Sequence, residues 1–150
     1  MTEIRDLLSY RVHTVANLLS RSAELRYRRD FGVSLWEWRT IALLGASQAP
    51  QSPGHLARAA GIDKGQMSRV VSGLAKRKLV VRDANHADGR GVHLRLSKDG
   101  RKLYDGLIRA AAERDDAFRS CLTKSEHQAF ERILGKLAGQ ARSLIQKEKE

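Results

Sequence analysis

Residues 52–76 have the sequence SPGHLARAAGIDKGQMSRVVSGLAK, in which a glycine separates two short predicted helices. Ser52 is a favourable N-cap residue for the first helix, and Gly61 is a favourable residue for that helix to end on. Asp63 and Gln66, three residues apart, form a capping box that predicts the start of the second helix. Two helices joined by a tight glycine-containing turn are typical of the helix-turn-helix, although an ordinary helical hairpin has the same pattern.

The second of these helices carries small polar and basic side chains on the face that its apolar residues leave exposed. An α-helix fits the major groove of DNA, and its first residues then approach the edges of the bases. Lys64 suits guanine acceptors or a phosphate, Gln66 suits adenine, and Ser68 suits either kind of contact. Gly65 lets the backbone come close to the DNA, and Arg69 is better placed for the phosphate backbone, which fixes register. These five residues are the predicted DNA-binding residues of the helix.

A predicted β-hairpin follows the two helices directly. Residues 79–82 are rich in β-branched side chains, and residues 92–96 alternate between apolar and polar side chains, as half-buried strands do. The turn between the strands is rich in glycine, asparagine and aspartate. Arg90 in this turn suits the narrow minor groove, where the negative potential of DNA is enhanced, and Asp88 is predicted to orient the turn. In the alternative interpretation, Asp88 and Arg90 pair with each other in a purely structural turn.

Long amphipathic helices are predicted at both ends of the chain. Apolar residues recur every three or four positions in residues 4–19 and again in residues 130–145, and Thr123 begins the last helix with a capping box. Ser34 and Ser97 are predicted to cap two further helices. These apolar stripes are longer than one small core can cover, which predicts a two-fold homodimer that binds a pseudo-palindromic operator. The alternative is a compact monomer.

The net charge of the chain is concentrated in its middle third. The 150 residues contain 28 basic and 17 acidic side chains, a formal net charge of +11. Residues 52–102 alone hold 12 of the basic and 4 of the acidic side chains. Positive charge concentrated in one folded segment is typical of nucleic-acid binding, whereas a basic surface kept for solubility alone would be spread evenly.

Length and composition indicate one soluble domain of an intracellular, cytoplasmic protein. No apolar run approaches the roughly 20 residues that a membrane span needs, and the N-terminus lacks the apolar segment of a signal peptide. The single cysteine, Cys121, excludes an internal disulfide and a cysteine-rich zinc site. The five histidines fall on different predicted elements, without a metal-ligand or catalytic spacing. We therefore predict no enzyme activity, no catalytic residues, no metal and no cofactor.

Several motifs, taken in their order along the chain, resemble the MarR (multiple antibiotic resistance regulator) family. They are WRTI at 38–41, LA at 56–57, MSRVV at 67–71, LVVR at 79–82, DGR at 88–90, LRLS at 94–97 and a glycine at 100. The resemblance covers nearly the whole chain. It departs from the family at Lys78, where glycine is usual, and at Ser97, where threonine is usual. Lys78 is expected to leave the entry to the first strand less relaxed without changing the fold.

This resemblance implies a mostly α-helical, winged helix-turn-helix protein with a small β-wing. It implies a single domain in which residues 34–100 form the DNA-binding lobe and residues 1–31 and 101–150 form the dimerisation helices. The implied function is repression of transcription until a small molecule binds. The alternative from another functional class is an architectural DNA-binding protein, which has the same basic charge but needs no operator or effector.

The resemblance also implies an effector pocket where the dimerisation helices meet the winged-helix lobe. Aromatic rings beside Arg or His suit an aromatic carboxylate, because the ring packs while the guanidinium pairs with the carboxylate. A larger aromatic acyl-CoA is a second option, with Arg26, Arg28 and Arg29 at its phosphates. In the alternative interpretation, Arg11 and Arg39 form salt bridges and the tryptophans belong to the core. The candidate pocket residues are Tyr10, Arg11, His13, Trp36, Trp38, Arg39 and Arg109.

Overall fold

The protein is mostly helical and has one small antiparallel sheet, in a computed structural model that describes residues 3–83 and 91–149. A 3₁₀ turn at Ile4–Asp6 precedes the first helix. The remaining elements are, in chain order, α1 (Leu8–Phe31), α2 (Leu35–Ala46), α3 (Pro53–Ala60), α4 (Lys64–Lys76), β1 (Val80–Asp83), β2 (His93–Leu96), α5 (Lys98–Arg119) and α6 (Lys124–Lys147). The predicted winged helix-turn-helix is confirmed: α3 and α4 are the helix pair, and β1 and β2 are the wing strands.

The chain divides into two compact units, residues 1–110 and residues 111–150. The first unit contains α1 to α4, the sheet and the first half of α5. The second unit contains the remainder of α5 and the whole of α6. The helix pair and the wing strands therefore belong to one unit.

Side-chain caps begin the helices where the sequence predicts them. The Ser34 hydroxyl accepts from the Glu37 N–H at 3.2 Å, and a Glu37 carboxylate oxygen accepts from the Ser34 N–H at 2.7 Å. Thr123 begins α6 with the same reciprocal pair. At the start of α4 the predicted capping box is only half formed: Asp63 accepts from the Gln66 N–H at 2.8 Å, but the Gln66 side chain makes no return bond. A neutral amide is a weaker hydrogen-bond acceptor than a carboxylate, so the return bond would gain less here.

The hydrophobic core of the first unit lies where α2, α3, α4 and the sheet meet. Ile41 from α2, Leu56 from α3 and Leu94 from β2 are fully buried, together with Met67 and Leu74 from α4. Burying a side chain of this size contributes about 1.5–3 kcal/mol. Because the buried stripe of α4 fixes the rotation of this helix, it also fixes which of its residues face outward.

The two wing strands pair in antiparallel register, with Val80 opposite Leu96. Side chains opposite each other in such a pair lie on the same face of the sheet. Val80, Leu94 and Leu96 are buried on one face, whereas Arg95 is exposed on the other. Gln51, in the connection between α2 and α3, bonds to Leu94 through both backbone groups, at 2.9 and 2.8 Å. The sheet is thereby attached to the helix pair by its covered face and by its free edge.

The turn from α4 to β1 holds one residue in an unfavourable backbone conformation. The N–H of Lys78 donates to the Ala75 carbonyl at 2.9 Å, and the N–H of Leu79 donates to the Leu74 carbonyl at 3.0 Å. These two bonds form a Schellman motif, which places the residue after the cap in the left-handed region. That residue is Lys78, with φ = 58°. The conformation costs an L-residue about 1–2 kcal/mol that glycine avoids.

Ser97 joins this turn to the start of α5. Its hydroxyl donates to the Lys78 carbonyl at 2.7 Å and accepts from the Gly100 N–H at 3.0 Å. Its own N–H donates to the Leu79 carbonyl at 3.0 Å. Gly100 lies so close to this strand entry that a Cβ atom there would be 2.0 Å from the Leu79 carbonyl oxygen. Ser97 therefore caps α5, as predicted, and also connects it to the end of α4.

The helices at both ends of the chain leave apolar side chains exposed. In α1 only Ala23 and Tyr27 are buried, and in α6 no described residue is buried. Large exposed apolar residues are Leu8, Val12, Val15, Leu18 and Leu19 on α1, and Phe130, Ile133, Leu134, Leu144 and Ile145 on α6. None of the helices within residues 3–83 and 91–149 is long and apolar enough to span a membrane.

We predict that Gly100→Ala destabilises the protein by about 1–3 kcal/mol, because the new methyl group overlaps a backbone carbonyl that cannot rotate away. Gly73→Ala is the matched control in the same unit, since its Cβ would meet nothing nearer than a Glu37 carboxylate oxygen at 3.9 Å. That substitution should stabilise the helix by about 0.5–1 kcal/mol. Urea unfolding measures both, and a Gly100→Ala midpoint at or above that of the wild type would contradict the packing described here.

Candidate nucleic-acid interface

The turn between α3 and α4 sets the angle between the two helices. Gly61 ends α3 in the left-handed conformation, with φ = 72°, and its N–H donates to the Arg58 carbonyl at 3.2 Å. The N–H of Ile62 donates to the Ala57 carbonyl at 3.0 Å. Asp63 then begins α4 at once, so only two residues separate α3 from the cap of α4. This is the tight glycine turn of a helix-turn-helix.

The outward face of α4 contains all five of the predicted DNA-binding residues of that helix. Lys64, Gly65, Ser68 and Arg69 are exposed, and Gln66 is half-buried. They occupy the first one and a half turns, which is the part of a recognition helix that approaches base edges. Gln66 keeps its side-chain amide out of the helix cap, so both its donor and its acceptor remain available.

The carboxylate of Asp63 caps the start of α4. Its pKa is lowered first by the Gln66 N–H, which donates to it, and also by the positive charge of Arg69. The group is therefore ionised at neutral pH and serves as the helix cap. A Cβ atom at Gly65 would lie 3.1 Å from an Asp63 carboxylate oxygen. Glycine at this position thus protects the cap, in addition to the predicted close approach of the backbone to DNA.

One carboxylate links the end of α4 to the start of α2. Arg77 forms an ion pair with a Glu37 oxygen at 3.2 Å, while the other oxygen of Glu37 holds the Ser34 N–H. The bond spans 40 residues of sequence. The Arg77–Glu37 ion pair fixes the C-terminal end of α4. Asp63 fixes its N-terminal end, and the buried side chains fix the middle.

The wing strands place an arginine beside α4 that is not among the residues predicted from the sequence. Arg82 of β1 donates to the Ser72 hydroxyl of α4 at 3.4 Å. Both residues are exposed. The signal that marks this position is a basic residue directly after two valines in the first strand. The predicted wing residues, Asp88 and Arg90, lie outside the described residues.

The candidate effector residues are brought together only in part. The Arg39 guanidinium lies over the Trp36 ring, 4.8 Å from its centre, and both side chains are half-buried. Trp38 packs against the buried Tyr27 instead, with ring centres 5.2 Å apart. The remaining candidates, Tyr10, Arg11, His13 and Arg109, are exposed. Among the residues that the structure describes, neither Arg11 nor Arg39 forms an ion pair, so the salt bridges of the alternative interpretation are not found.

The arginines considered for the phosphates of an acyl-CoA are all engaged on α1. Arg28 pairs with Glu24 at 2.8 Å, and Arg29 pairs with Asp30 at 2.6 Å. Arg26 shares the same Asp30 carboxylate at 3.5 Å. The hydrogen bond from Arg29 is the main cause of the lowered pKa of Asp30. A phosphate group here would have to displace these carboxylates.

No cluster of three or more His, Cys, Asp or Glu side chains that could hold a metal ion occurs within 3–83 and 91–149. Cys121 is exposed, and its thiol donates to the Phe118 carbonyl at 2.9 Å. The described histidines do not converge on a shared site.

Comparison with known proteins gives concordant matches. A profile of the MarR family matches residues 31–91. The HTH-type transcriptional regulator FarR of Neisseria gonorrhoeae is 32% identical over 102 residues, which are 68% of this chain and 69% of FarR.

Solved structures agree over almost the whole chain. A MarR/EmrR family regulator from Acinetobacter sp. ADP1 has a TM-score of 0.85 at 24% identity, covering 95% of this chain and 99% of the other. A MarR family regulator from Silicibacter pomeroyi DSS-3 has a TM-score of 0.77 at 26% identity, covering 96% and 99%. MepR of S. aureus, solved as a complex with DNA, has a TM-score of 0.81 at 19% identity, covering 93% and 99%. The chain belongs to the MarR family and is a DNA-binding transcriptional regulator with a winged helix-turn-helix fold.

Proposed function

We propose that the protein binds a specific operator in duplex DNA and represses transcription until a small anionic aromatic molecule releases it. The observation that carries the proposal is the outward face of α4, where exposed polar and basic side chains stand on a helix held at both ends. The overall fold is shared with MepR, which was solved as a complex with DNA, and this supports DNA as the partner.

On this proposal the residues of α4 divide into two roles. Lys64, Gln66 and Ser68 face the base edges of the major groove and determine sequence preference. Arg69, one turn further along, contacts the phosphate backbone and fixes the register. The half-formed cap supports the assignment of Gln66, because an amide engaged at the helix start would not reach a base.

The wing contributes a second contact on the same proposal. The positive charge of Arg90, in the turn between the two strands, suits the narrow minor groove, and Asp88 orients the wing. The attachment at Ser97 supports wing strands that are held beside the recognition helix at their base.

We also propose that two copies of the chain form a homodimer through residues 1–31 and 101–150, leaving residues 34–100 as the DNA-binding lobe. The exposed apolar side chains of α1 and of α6 support this assignment, because a lone chain would leave them in water. A two-fold dimer presents two recognition helices to two half-sites about 34 Å apart, which is one turn of the duplex.

For the effector, the stacked pair of Trp36 and Arg39 supports an aromatic carboxylate, because the pair offers a ring face and a guanidinium without a carboxylate partner in the described part of the chain. The ion pairs of Arg26, Arg28 and Arg29 favour a free acid over its CoA thioester. An effector acts by favouring a conformation in which the recognition helices no longer match successive major grooves.

Operator specificity is tested with duplexes selected by the wild-type protein from a random library. The wild type should prefer a selected duplex to a scrambled one by ~10³ or more, whereas an architectural protein would bind both alike. Gln66→Ala should reduce the preference for the selected duplex by about 1–3 kcal/mol, because it removes the proposed bidentate contact with one base. Arg69→Gln should weaken both duplexes equally. Equal affinity of the wild type for the two duplexes would overturn the proposal.

Dimerisation is tested by sedimentation at micromolar concentration. The wild type should sediment at twice its chain mass of 16.8 kDa, and Leu144→Glu should give monomers or insoluble protein. Arg132→Glu is the control, because residue 132 lies on the opposite side of α6 from the apolar stripe. A wild-type monomer would show that the exposed apolar side chains are not an interface between copies.

The effector class is tested by titrating benzoate, hydroxybenzoate and cinnamate acids and their CoA thioesters. Tryptophan fluorescence and operator release should both respond to the acids, because the ligand would contact Trp36. Benzyl alcohol is the uncharged control and should have little effect, since it cannot pair with Arg39. If neither signal changes at millimolar acid, this effector class is excluded, whereas the proposal of operator binding still holds.

A further inference from the structure

The position of Arg82 between two functional elements gives it a role beyond the predicted set. The β1–β2 register places Arg82 opposite Leu94, which is fully buried, so the stem of Arg82 leaves the strand on the covered face of the sheet. The guanidinium nevertheless emerges at the surface, where it donates to the Ser72 hydroxyl of α4. A long side chain with an apolar stem and a charged tip can follow this path.

The charge of Arg82 is not neutralised by a carboxylate among the residues that the structure describes. Its guanidinium donates to the neutral hydroxyl of Ser72. Arg77, by contrast, which is five residues earlier at the end of α4, is paired with Glu37. An exposed guanidinium bonded to only one hydroxyl keeps most of its five donors available.

The location of this free charge matches a phosphate backbone. When a recognition helix lies in the major groove and a wing reaches the adjacent minor groove, one strand of phosphates runs between them. Arg82 lies at the junction of α4 and the wing, and Ser72 is one turn beyond Ser68 on the outward face of α4. With α4 in the major groove, the Arg82 guanidinium would therefore face that strand.

We propose that Arg82 binds a phosphate of the DNA strand that separates the two grooves, and that Ser72 positions its guanidinium. This inference rests on the proposed function, because it assumes that α4 enters the major groove. It deepens that function by assigning the contact that fixes the wing and the recognition helix on the DNA together. A phosphate contact carries no sequence information, so Arg82 contributes affinity and register only.

The test measures binding of Arg82→Gln to a selected duplex and to a scrambled duplex over a range of salt concentrations. Both affinities should fall by about tenfold, the value of one charge-assisted hydrogen bond. The slope of log affinity against log salt should become shallower by about 0.9, because one fewer counterion is released. Arg82→Lys should retain the wild-type slope, since it keeps the charge.

Arg95→Gln is the matched control. It removes the same charge from the same sheet, but Arg95 lies opposite Val81 on the other face. Its salt slope should stay near that of the wild type. An equal change of the salt slope in Arg82→Gln and Arg95→Gln would overturn the proposal, because it would show that the slope depends only on the net charge of the sheet. Ser72→Ala should lower affinity less than Arg82→Gln and leave the slope unchanged.

The remaining outcomes separate this inference from the proposed function. If the wild type prefers the selected duplex and Arg82→Gln weakens that duplex alone with an unchanged salt slope, Arg82 acts only through the placement of α4 and the phosphate contact is wrong. If the wild type does not discriminate between the duplexes, the proposed operator binding itself fails. Matching circular dichroism spectra and urea midpoints verify that the variants are folded, and Arg82→Lys provides the comparison if Arg82→Gln is unstable.

Discussion

The hydroxyl of Ser97 is the interaction on which the arrangement of the winged-helix unit depends. The hydroxyl bonds to Lys78 at the end of the recognition helix and to Gly100 in the first turn of α5. The backbone N–H of the same residue donates to the Leu79 carbonyl at the entry to β1. Gly100 brings these segments close enough for the bonds to form, since no larger residue fits against the Leu79 carbonyl. Without the hydroxyl, the Lys78 carbonyl and the Gly100 N–H would lose these bonds, and the end of α4 would be held less firmly against the start of α5.

In the described part of the first unit, carboxylates neutralise some of the basic side chains and leave others unpaired. Asp63 and Glu37 are both used as helix caps, and Glu37 also neutralises Arg77 at the far end of α4. The arginines at the end of α1 are paired as well. Lys64, Arg69 and Arg82, which lie on α4 and the strand that follows it, have no ion-pair partner among the described residues. This distribution concentrates positive potential where a polyanion would approach.

Most of the fold was predictable because its signals are local. Ser34, Ser97 and Thr123 begin helices through bonds to residues only three positions away, and hydrophobic spacing determines the buried stripe of α4. The half-formed cap at Asp63 was not predictable, since it depends on a small difference in acceptor strength. Arg82 was also missed, because its partner Ser72 is defined only by the pairing register and the packing of β1 on α4. The separation of Trp38 from Trp36 likewise depends on the position of Tyr27.

The left-handed backbone at Lys78 has a consequence for the mutational tolerance of the surface. Lys78 is exposed, and by exposure alone its position would accept almost any polar residue. Its φ of 58° restricts the choice instead, because glycine adopts this conformation freely, asparagine adopts it at little cost, and β-branched residues adopt it rarely. Deep mutational scanning would therefore find a narrow substitution profile at this solvent-facing site.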